Sequence, residues 1–348
     1  MNDYYCVLPY FSIETGFDIP DKNIYCCKLP DQTDIESIRS SIARHEKNPA
    51  CSACWKLESR GLPSEREIHN RTMDFLLDLN LENIEKRSLS NGFEPLQIKL
   101  STSNLCNGMC VTCGSHLSSA WSQLENANIG YRGADFEQNK INWGEIVSLS
   151  FLGGEPFLEK KNFEILQKLV DLGNTDCFIS IVTNGSITPN DQQINILSRF
   201  SKLNICLSID GTDKSFEYMR FPLKWDQLLH NLSIFKSLGA DLSVSCTISN
   251  LNIYYYSDMI NFFKFNELNY LCKQVESPSI FIPGNLPDSV KSIVLDRNID
   301  YKKEVESFLN IGRYSVELYT QFKNEIKRQD QLKNIQLRDY MPHIVNLL

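Results

Sequence analysis

From Leu96 onward the chain repeats one pattern: a short apolar run, a polar loop, then a longer amphipathic stretch. No other feature limits the fold as much. A strand, a helix and a second strand in succession close into a parallel pair with a right-handed crossover. The strand-like runs lie at 96–101, 147–152, 178–183, 204–210, 242–247 and 279–283. Helical spacing falls near 110–125, 160–172, 191–200, 224–238 and 254–265. Six strands alternating with five helices predict an α/β parallel sheet with fewer units than the eight of a closed barrel. An open partial barrel and a doubly wound sheet both satisfy that count. Residues 1–95 read differently. Extended runs at 4–14 and 23–29 flank a Gly/Pro/Asp turn and suggest a loose hairpin, followed by helical segments at 34–47 and 65–87. Residues 286–348 read as a helical tail with one polar face. The expected units are therefore 1–95, 96–285 and 286–348.

In parallel α/β folds the site forms at the carboxyl ends of the strands. The polar motifs fall there. Cys106, Cys110 and Cys113 follow the first strand, and Gly153, Gly154, Glu155 and Pro156 follow the second. Thr183, Asn184 and Gly185 follow the third, Ser208, Asp210 and Gly211 end the fourth, and Thr247 and Asn250 end the fifth.

Charge and cysteine content narrow the class. With 35 basic against 43 acidic residues the formal charge is −8, and no long Lys/Arg run is present, which argues against general nucleic-acid binding. The start, MNDYYCVLPY, lacks a basic region followed by an apolar one, and no stretch approaches the ~20 apolar residues of a membrane span. The expectation is a cytoplasmic protein without a membrane partner. Twelve cysteines in a reducing compartment point to metal ligation or redox chemistry rather than to a disulfide framework. Eight fall in two groups: Cys6, Cys26, Cys27, Cys51 and Cys54, then Cys106, Cys110 and Cys113. Cys177, Cys206, Cys246 and Cys272 are scattered and read as small buried hydrophobes, Cys272 in a connecting segment.

The second group has the spacing C-x3-C-x2-C on one short Gly/Asn loop. Three thiolates there can hold three irons of a 4Fe–4S cubane and leave the fourth iron open. A zinc site with His116 as fourth ligand is the alternative, and it leaves the other strand-end motifs unexplained. Together with Gly-Gly-Glu-Pro after the next strand and Asn-Gly after the third, the loop resembles the radical SAM superfamily over about residues 96–283. That resemblance implies a partial (βα)6 TIM barrel. It implies a cluster ligated by Cys106, Cys110 and Cys113 that binds S-adenosyl-L-methionine (SAM) through its open iron. The turn Gly153–Pro156 would then contact the methionine amino group through backbone carbonyls and Glu155. Ser208 and Asp210 would contact the ribose, with Asn184 in the same shell, and Arg220 would pair with the methionine carboxylate. Ordinary readings stand beside these: turns at Asn184-Gly185 and Asp210-Gly211, a helix-facing Ser208, a solvated Arg220. One departure is Thr112, where many members carry an aromatic residue before the third cysteine. Adenine contacts would then come from backbone and apolar groups near Thr247 and Ile248. The implied chemistry is reductive cleavage of the sulfonium to methionine and a 5′-deoxyadenosyl radical, which abstracts hydrogen from a substrate.

The first group contains a C-x2-C knuckle, Cys51 to Cys54, ahead of Trp55, Glu58, Gly61, Ser64 and Arg66. This segment looks like the cysteine-rich part of twitch-type radical SAM proteins (SPASM/twitch-like, including phage-type members), here ahead of the barrel. The resemblance implies an auxiliary 4Fe–4S cluster on Cys6, Cys51, Cys54 and one of Cys26 or Cys27. Adjacent strand residues face opposite ways, so only one of that pair should ligate, and Cys27 is preferred. Structural zinc and a purely thiol core remain as alternatives.

Three functions are weighed. The first is modification of a peptide or protein side chain. The second is chemistry on a sugar, nucleoside or amino acid. The third is a non-catalytic iron–sulfur or zinc interaction protein, against which the intact Cys106, Cys110, Cys113 and Glu155 argue. The enzyme readings require a one-electron reductant such as flavodoxin or ferredoxin. Tyr254, Tyr255 and Tyr256 read as packing that could reach the cavity, and residues 310–348 as a cap or an interface.

Overall fold

The computed structural model describes residues 3–16, 19–24, 26, 33–59, 61, 64–133 and 141–345. Among them eight strands form one sheet: β1 (Ser12–Gly16), β2 (Ile19–Ile24), β3 (Gln97–Ser101), β4 (Ser148–Leu152), β5 (Phe178–Thr183), β6 (Leu203–Ser208), β7 (Asp241–Ile248) and β8 (Asn269–Gln274). The order is β2-β1-β3-β4-β5-β6-β7-β8. Every pair from β1 to β8 is parallel, and only β2 runs antiparallel, on the outer edge of β1. The two edges do not meet. Seven parallel strands with crossover helices make an open partial barrel, as the α/β reading expects.

The helices are α1 (Leu8–Phe11), α2 (Ile35–Ala43), α3 (Ser52–Glu58), α4 (Glu65–Leu77), α5 (Leu81–Asn91), α6 (Ser119–Leu124), α7 (Lys160–Asp171), α8 (Asp191–Leu197), α9 (Asp213–Met219), α10 (Trp225–Ser237), α11 (Tyr256–Phe265), α12 (Asp288–Arg297), α13 (Lys302–Leu309), α14 (Val316–Lys333), α15 (Leu337–Tyr340) and α16 (Pro342–Val345).

Period-two alternation sorts the sheet residues onto two faces. Ile179, Ile181, Ile205, Leu207 and Val244 are buried in one core with Leu166, Leu228 and Phe263 of the crossover helices. The alternate residues Ser150, Ser180, Cys206, Ser208, Ser245 and Thr247 are half-buried and floor the concave side. Small polar residues there leave space where a closed barrel packs branched apolar layers. The carboxyl end of this concave face is thus an open bowl.

The N-terminal region adds a strand to that sheet. β1 pairs with β3 from Ser12↔Gln97 to Gly16↔Ser101, so the sheet runs across the boundary expected at residue 95. Helices α1 to α5 bury Tyr5, Phe11, Ile38, Met73 and Ile84 in a core of their own. At the other end, α14 to α16 pack Phe322, Ile326, Leu337 and Met341 against Val111, Tyr218 and Met219. No described helix is long and apolar enough to cross a membrane.

Four expected boundaries move. The last strand is β8, not 279–283. Ile280 to Ile282 are apolar, but Pro278 and Pro283 bracket them, and the segment forms two 3-10 turns (Ser279–Phe281 and Pro283–Asn285) with Phe281 buried. β8 is mostly exposed, Tyr270 and Leu271 included, and β7 holds it through six register pairs. Cys272 accordingly lies in a strand. The helix expected at 110–125 shortens to α6. The N–H groups of Met109 and Val111 are spent on the carbonyls of Phe221 (2.5 Å) and Met219 (2.8 Å), so residues 110–118 stay a loop. The segment 65–87 breaks into α4 and α5 at Asp78, which is left-handed (φ 50°). The first extended run begins instead with α1.

Candidate functional site

The cysteine loop leaves β3 through Thr102, Ser103 and Asn104, all buried. Asn104 fixes the next turn: its amide donates to Gly130 O (2.9 Å), its Oδ1 accepts from Arg132 N (2.8 Å), and its carbonyl accepts from Ser119 N (2.8 Å). The carbonyls of the loop are bonded in turn. Cys106 O accepts from Ser119 Oγ (3.1 Å), Gly108 O from Ser118 Oγ (2.7 Å), Cys110 O from Trp121 Nε1 (2.9 Å) and Val111 O from Gln329 Nε2 (3.0 Å). Backbone partners in place all round make the loop a fixed frame.

The Gly-Gly-Glu-Pro turn after β4 docks on that frame. Gly154 N donates to Ser103 O (2.9 Å) and Glu155 N to Leu105 O (2.7 Å). A Cβ on Gly153 (φ 105°) would meet Ser103 O at 2.7 Å, and one on Gly154 would collide with the Leu105 carbonyl. The Glu155 carboxylate turns inward. Its Oε1 accepts from Thr183 Oγ1 (2.7 Å) and Phe157 N (3.1 Å), and its Oε2 from Asn184 N (2.8 Å). Burial pushes this carboxyl up, and those three donors oppose the shift. Pro156 O accepts from Asn162 Nδ2 (3.0 Å). Glu155 thus joins β4 to β5 and Pro156 ties the turn to α7, while Gly153 and Gly154 face the cavity.

That cavity, about 330 Å3, lies in the bowl at the carboxyl ends of the strands. Cys106, Cys110, Cys113, Gly153, Gly154, Asn184, Ser208, Asp210 and Arg220 line it, with Thr112 and Thr247. Ile248 is buried on the other face of β7. Asn184 Nδ2 donates to Asn107 Oδ1 (2.9 Å), tying the third strand end to the cysteine loop. Asp210, 2% exposed, accepts from Thr247 N (2.7 Å) and ion-pairs with Arg220 Nη2 (2.7 Å). Arg220 stands between the two residues that clamp Met109 and Val111, and its Nη1 lies 4.0 Å from Cys110 Sγ. Burial works against the Arg220 charge, but Asp210 and Cys110 outweigh it and hold the guanidinium firmly charged. Its Nε is buried without a partner.

The donor set fits a thiolate-ligated group. A Cβ placed on Gly108 would sit 3.5 Å from Cys110 Sγ and 3.7 Å from Cys106 Sγ, so a side chain there would crowd both sulfurs. Burial drives the Cys106 and Cys113 thiols up to about 12. Burial also raises Cys110, with Arg220 and Lys333 opposing. Thiols so protonated when free become ligands when a metal takes the place of the proton. The orphaned Arg220 Nε offers a donor to an anionic group in the cavity. Among the described residues, no three His, Cys, Asp or Glu side chains gather closely enough to hold a single metal ion.

A second, small apolar cavity (about 30 Å3) is lined by Cys6, Cys26, Cys51 and Cys54, with Trp55 and Arg66. Burial raises the Cys6 thiol, and Cys26, Cys51 and Cys54 each add to that. Burial pushes Cys51 up to about 11. Cys27 lies outside the described residues. Of the remaining expectations, His116 is exposed and off the main cavity. Tyr256 packs against Tyr301 and Phe308, and Tyr254 against His343, outside the bowl. Two groups at the loop escaped the sequence reading: Gln329 and the buried Lys333, both from α14. Their distance along the chain hid them, and a lysine on a helix reads as a solvated face.

Residues 100–265 match the model of the radical SAM superfamily. This segment, just under half of the chain, is a radical SAM domain. No curated protein matches it. Among solved structures it is similar to anSMEcpe with bound AdoMet, at 20% identity over 62% of this chain and 62% of that one, TM-score 0.44. It is also similar to Streptococcus suis SuiB bound to S-adenosylmethionine, at 16% identity over 82% of this chain and 66% of that one, TM-score 0.44. A third is TYW1 with a lysine–pyruvate adduct, at 13% identity over 58% and 70%, TM-score 0.35. The chain spans less than two thirds of the length of anSMEcpe. Likeness at this level says nothing of the reaction.

Proposed function

We propose that the chain is a cytoplasmic radical SAM enzyme that abstracts hydrogen from a peptide or protein side chain. When bound, a 4Fe–4S cluster and SAM supply reductive cleavage of the sulfonium to methionine and a 5′-deoxyadenosyl radical, the electron coming from a donor such as flavodoxin or ferredoxin. One observation carries this reading: three thiols on a rigid loop face the same cavity as Gly153, Gly154, Asn184, Ser208, Asp210 and Arg220. In it, Cys106, Cys110 and Cys113 hold the cluster. Gly153 and Gly154 let the amino acid end of SAM approach the backbone. Arg220, through its free Nε, binds the carboxylate. Ser208 and Asp210 face the ribose, and Asp210 also steadies Arg220. Thr112 and Thr247 border the adenine. Glu155 positions rather than binds, since its oxygens are occupied.

In the same reading Cys6, Cys51, Cys54 and one of Cys26 or Cys27 hold an auxiliary 4Fe–4S cluster in a twitch-like unit over residues 1–95. The cavity shared by Cys6, Cys26, Cys51 and Cys54 supports a cluster at this place. The peptide or protein substrate is supported by the resemblance of that cysteine-rich segment and by the open bowl, whose hydroxyl floor admits a polar chain. The test is anaerobic incubation of reconstituted protein with SAM and dithionite. The wild type yields 5′-deoxyadenosine and Cys110→Ala yields none. Absence of 5′-deoxyadenosine from iron-loaded wild type would overturn the reading.

A further inference from the structure

Lysine is among the residues least often buried, because its ammonium loses water that the interior seldom replaces. Lys333, the last residue of α14, is 7% exposed. The dipole at a helix C-terminus favours a cation there, but a solvated one would satisfy it equally. Among the described residues no carboxylate lies within ion-pair distance of its Nζ. Asp330 is taken up by Tyr218 Oη (2.7 Å) and Leu337 N (2.8 Å), and Glu325 by Arg328 and Gln329.

The partners Lys333 does have all belong to the cysteine loop or are bonded to it. Nζ donates to Gln329 Oε1 (2.9 Å), and the Gln329 amide donates to Val111 O. It lies 4.7 Å from the Trp121 ring, whose N–H donates to Cys110 O, and 5.9 Å from the Phe221 ring, whose carbonyl accepts from Met109 N. Two π faces and one amide are weak compensation for a buried ammonium. The other cations nearby are already matched, Arg220 by Asp210 and Arg328 by Glu125 and Glu325. Lys333 is therefore a buried cation behind residues 109–111 with no ion-pair partner among the described residues; burial lowers its ammonium to about 8, with Cys110, Asp330 and Glu325 opposing the shift.

Resting on the cluster reading above, we infer that Lys333 is a positioning residue whose positive charge, acting through the loop, sets the reduction potential of the cluster on Cys106, Cys110 and Cys113. Reduction adds one negative charge to an already anionic group, and a buried cation behind its ligands favours that state. An approach by α14 that served packing alone would be met as well by an apolar side chain.

The experiment is an anaerobic redox titration of reconstituted protein, following the reduced-cluster electron paramagnetic resonance signal that changes when SAM is added. At the wild-type midpoint, Lys333→Met lowers the reduced-to-oxidised ratio about tenfold, equivalent to about 59 mV for a one-electron couple. Lys333→Arg stays within about twofold of wild type. An unshifted Met variant that keeps its iron and its SAM-responsive signal overturns the inference and leaves the cluster reading standing. An Arg variant shifted as far as Met overturns it too, since packing would then be the cause. Wild type without any SAM-responsive signal overturns both. Should Lys333→Met not fold, Lys333→Gln is titrated in its place with the same expectation.

Discussion

Gly154 and Glu155 are adjacent in the chain and serve different needs. Gly154 lets the turn after β4 come close enough to bond Ser103 O, and Glu155 ties that turn to the end of β5. Both residue types were legible as a motif. Their division of labour was not, because it depends on where the Leu105 carbonyl and the Asn184 amide come to rest. Gly154→Ala places a methyl against that carbonyl and must push the cysteine loop away. It is expected to destabilise the protein by at least about 2 kcal/mol and to lower iron per chain after reconstitution. Chemical denaturation and iron analysis check both. A fully stable Gly154→Ala protein with normal iron would show that the close approach is dispensable.

Among the elements, local signals were read best where they are self-contained. The strands β3 to β7 and the helices α7, α8, α10 and α11 fall within a few residues of their apolar periodicity. β8 did not, because its side chains are mostly exposed and show no apolar alternation, and its pairing with β7 makes it a strand. The α4 start is marked by a capping box between Ser64 and Glu67, a sequence-level signal, whereas the left-handed break at Asp78 has none. The junction of α3 and α4 carries a testable pair. Glu58, the last residue of α3, binds Arg66 of α4 through both oxygens (3.0 and 2.8 Å) and accepts from Ser64 Oγ (2.5 Å). Burial pushes the Glu58 carboxyl up, but Arg66 and Ser64 together hold it below the usual carboxylate range. A depressed carboxyl stabilises the fold above its unfolded pKa and loses that effect as pH falls through its folded value. Glu58→Gln should cost about 1–3 kcal/mol near neutral pH, and the gap to wild type should close as pH drops below about 4. Denaturation midpoints across pH measure it. A gap that does not depend on pH would rule out the ion pair.

On the scale of the whole molecule, chain topology does what spacing alone cannot. The parallel sheet brings five strand ends to one bowl, and α14 returns from the C-terminal side to close the back of the cysteine loop. The N-terminal cysteines Cys6, Cys26, Cys51 and Cys54 converge on a second cavity although they span 49 positions of the chain. Sequence could group these residues but not show that β1 fuses their region to the barrel sheet, since a parallel partner 85 residues away (Ser12↔Gln97) leaves no local trace.

The central claim is that Cys106, Cys110 and Cys113 hold a cluster with one iron open to SAM. Its most direct measurement is the electron paramagnetic resonance spectrum of dithionite-reduced protein with and without SAM, in a Cys51→Ala/Cys54→Ala background that removes the auxiliary contribution. The account predicts a signal whose g-values change on adding SAM and which is absent when Cys110 is also replaced by Ala. A spectrum indifferent to SAM, or zinc in tetrahedral sulfur coordination at that loop, would contradict it.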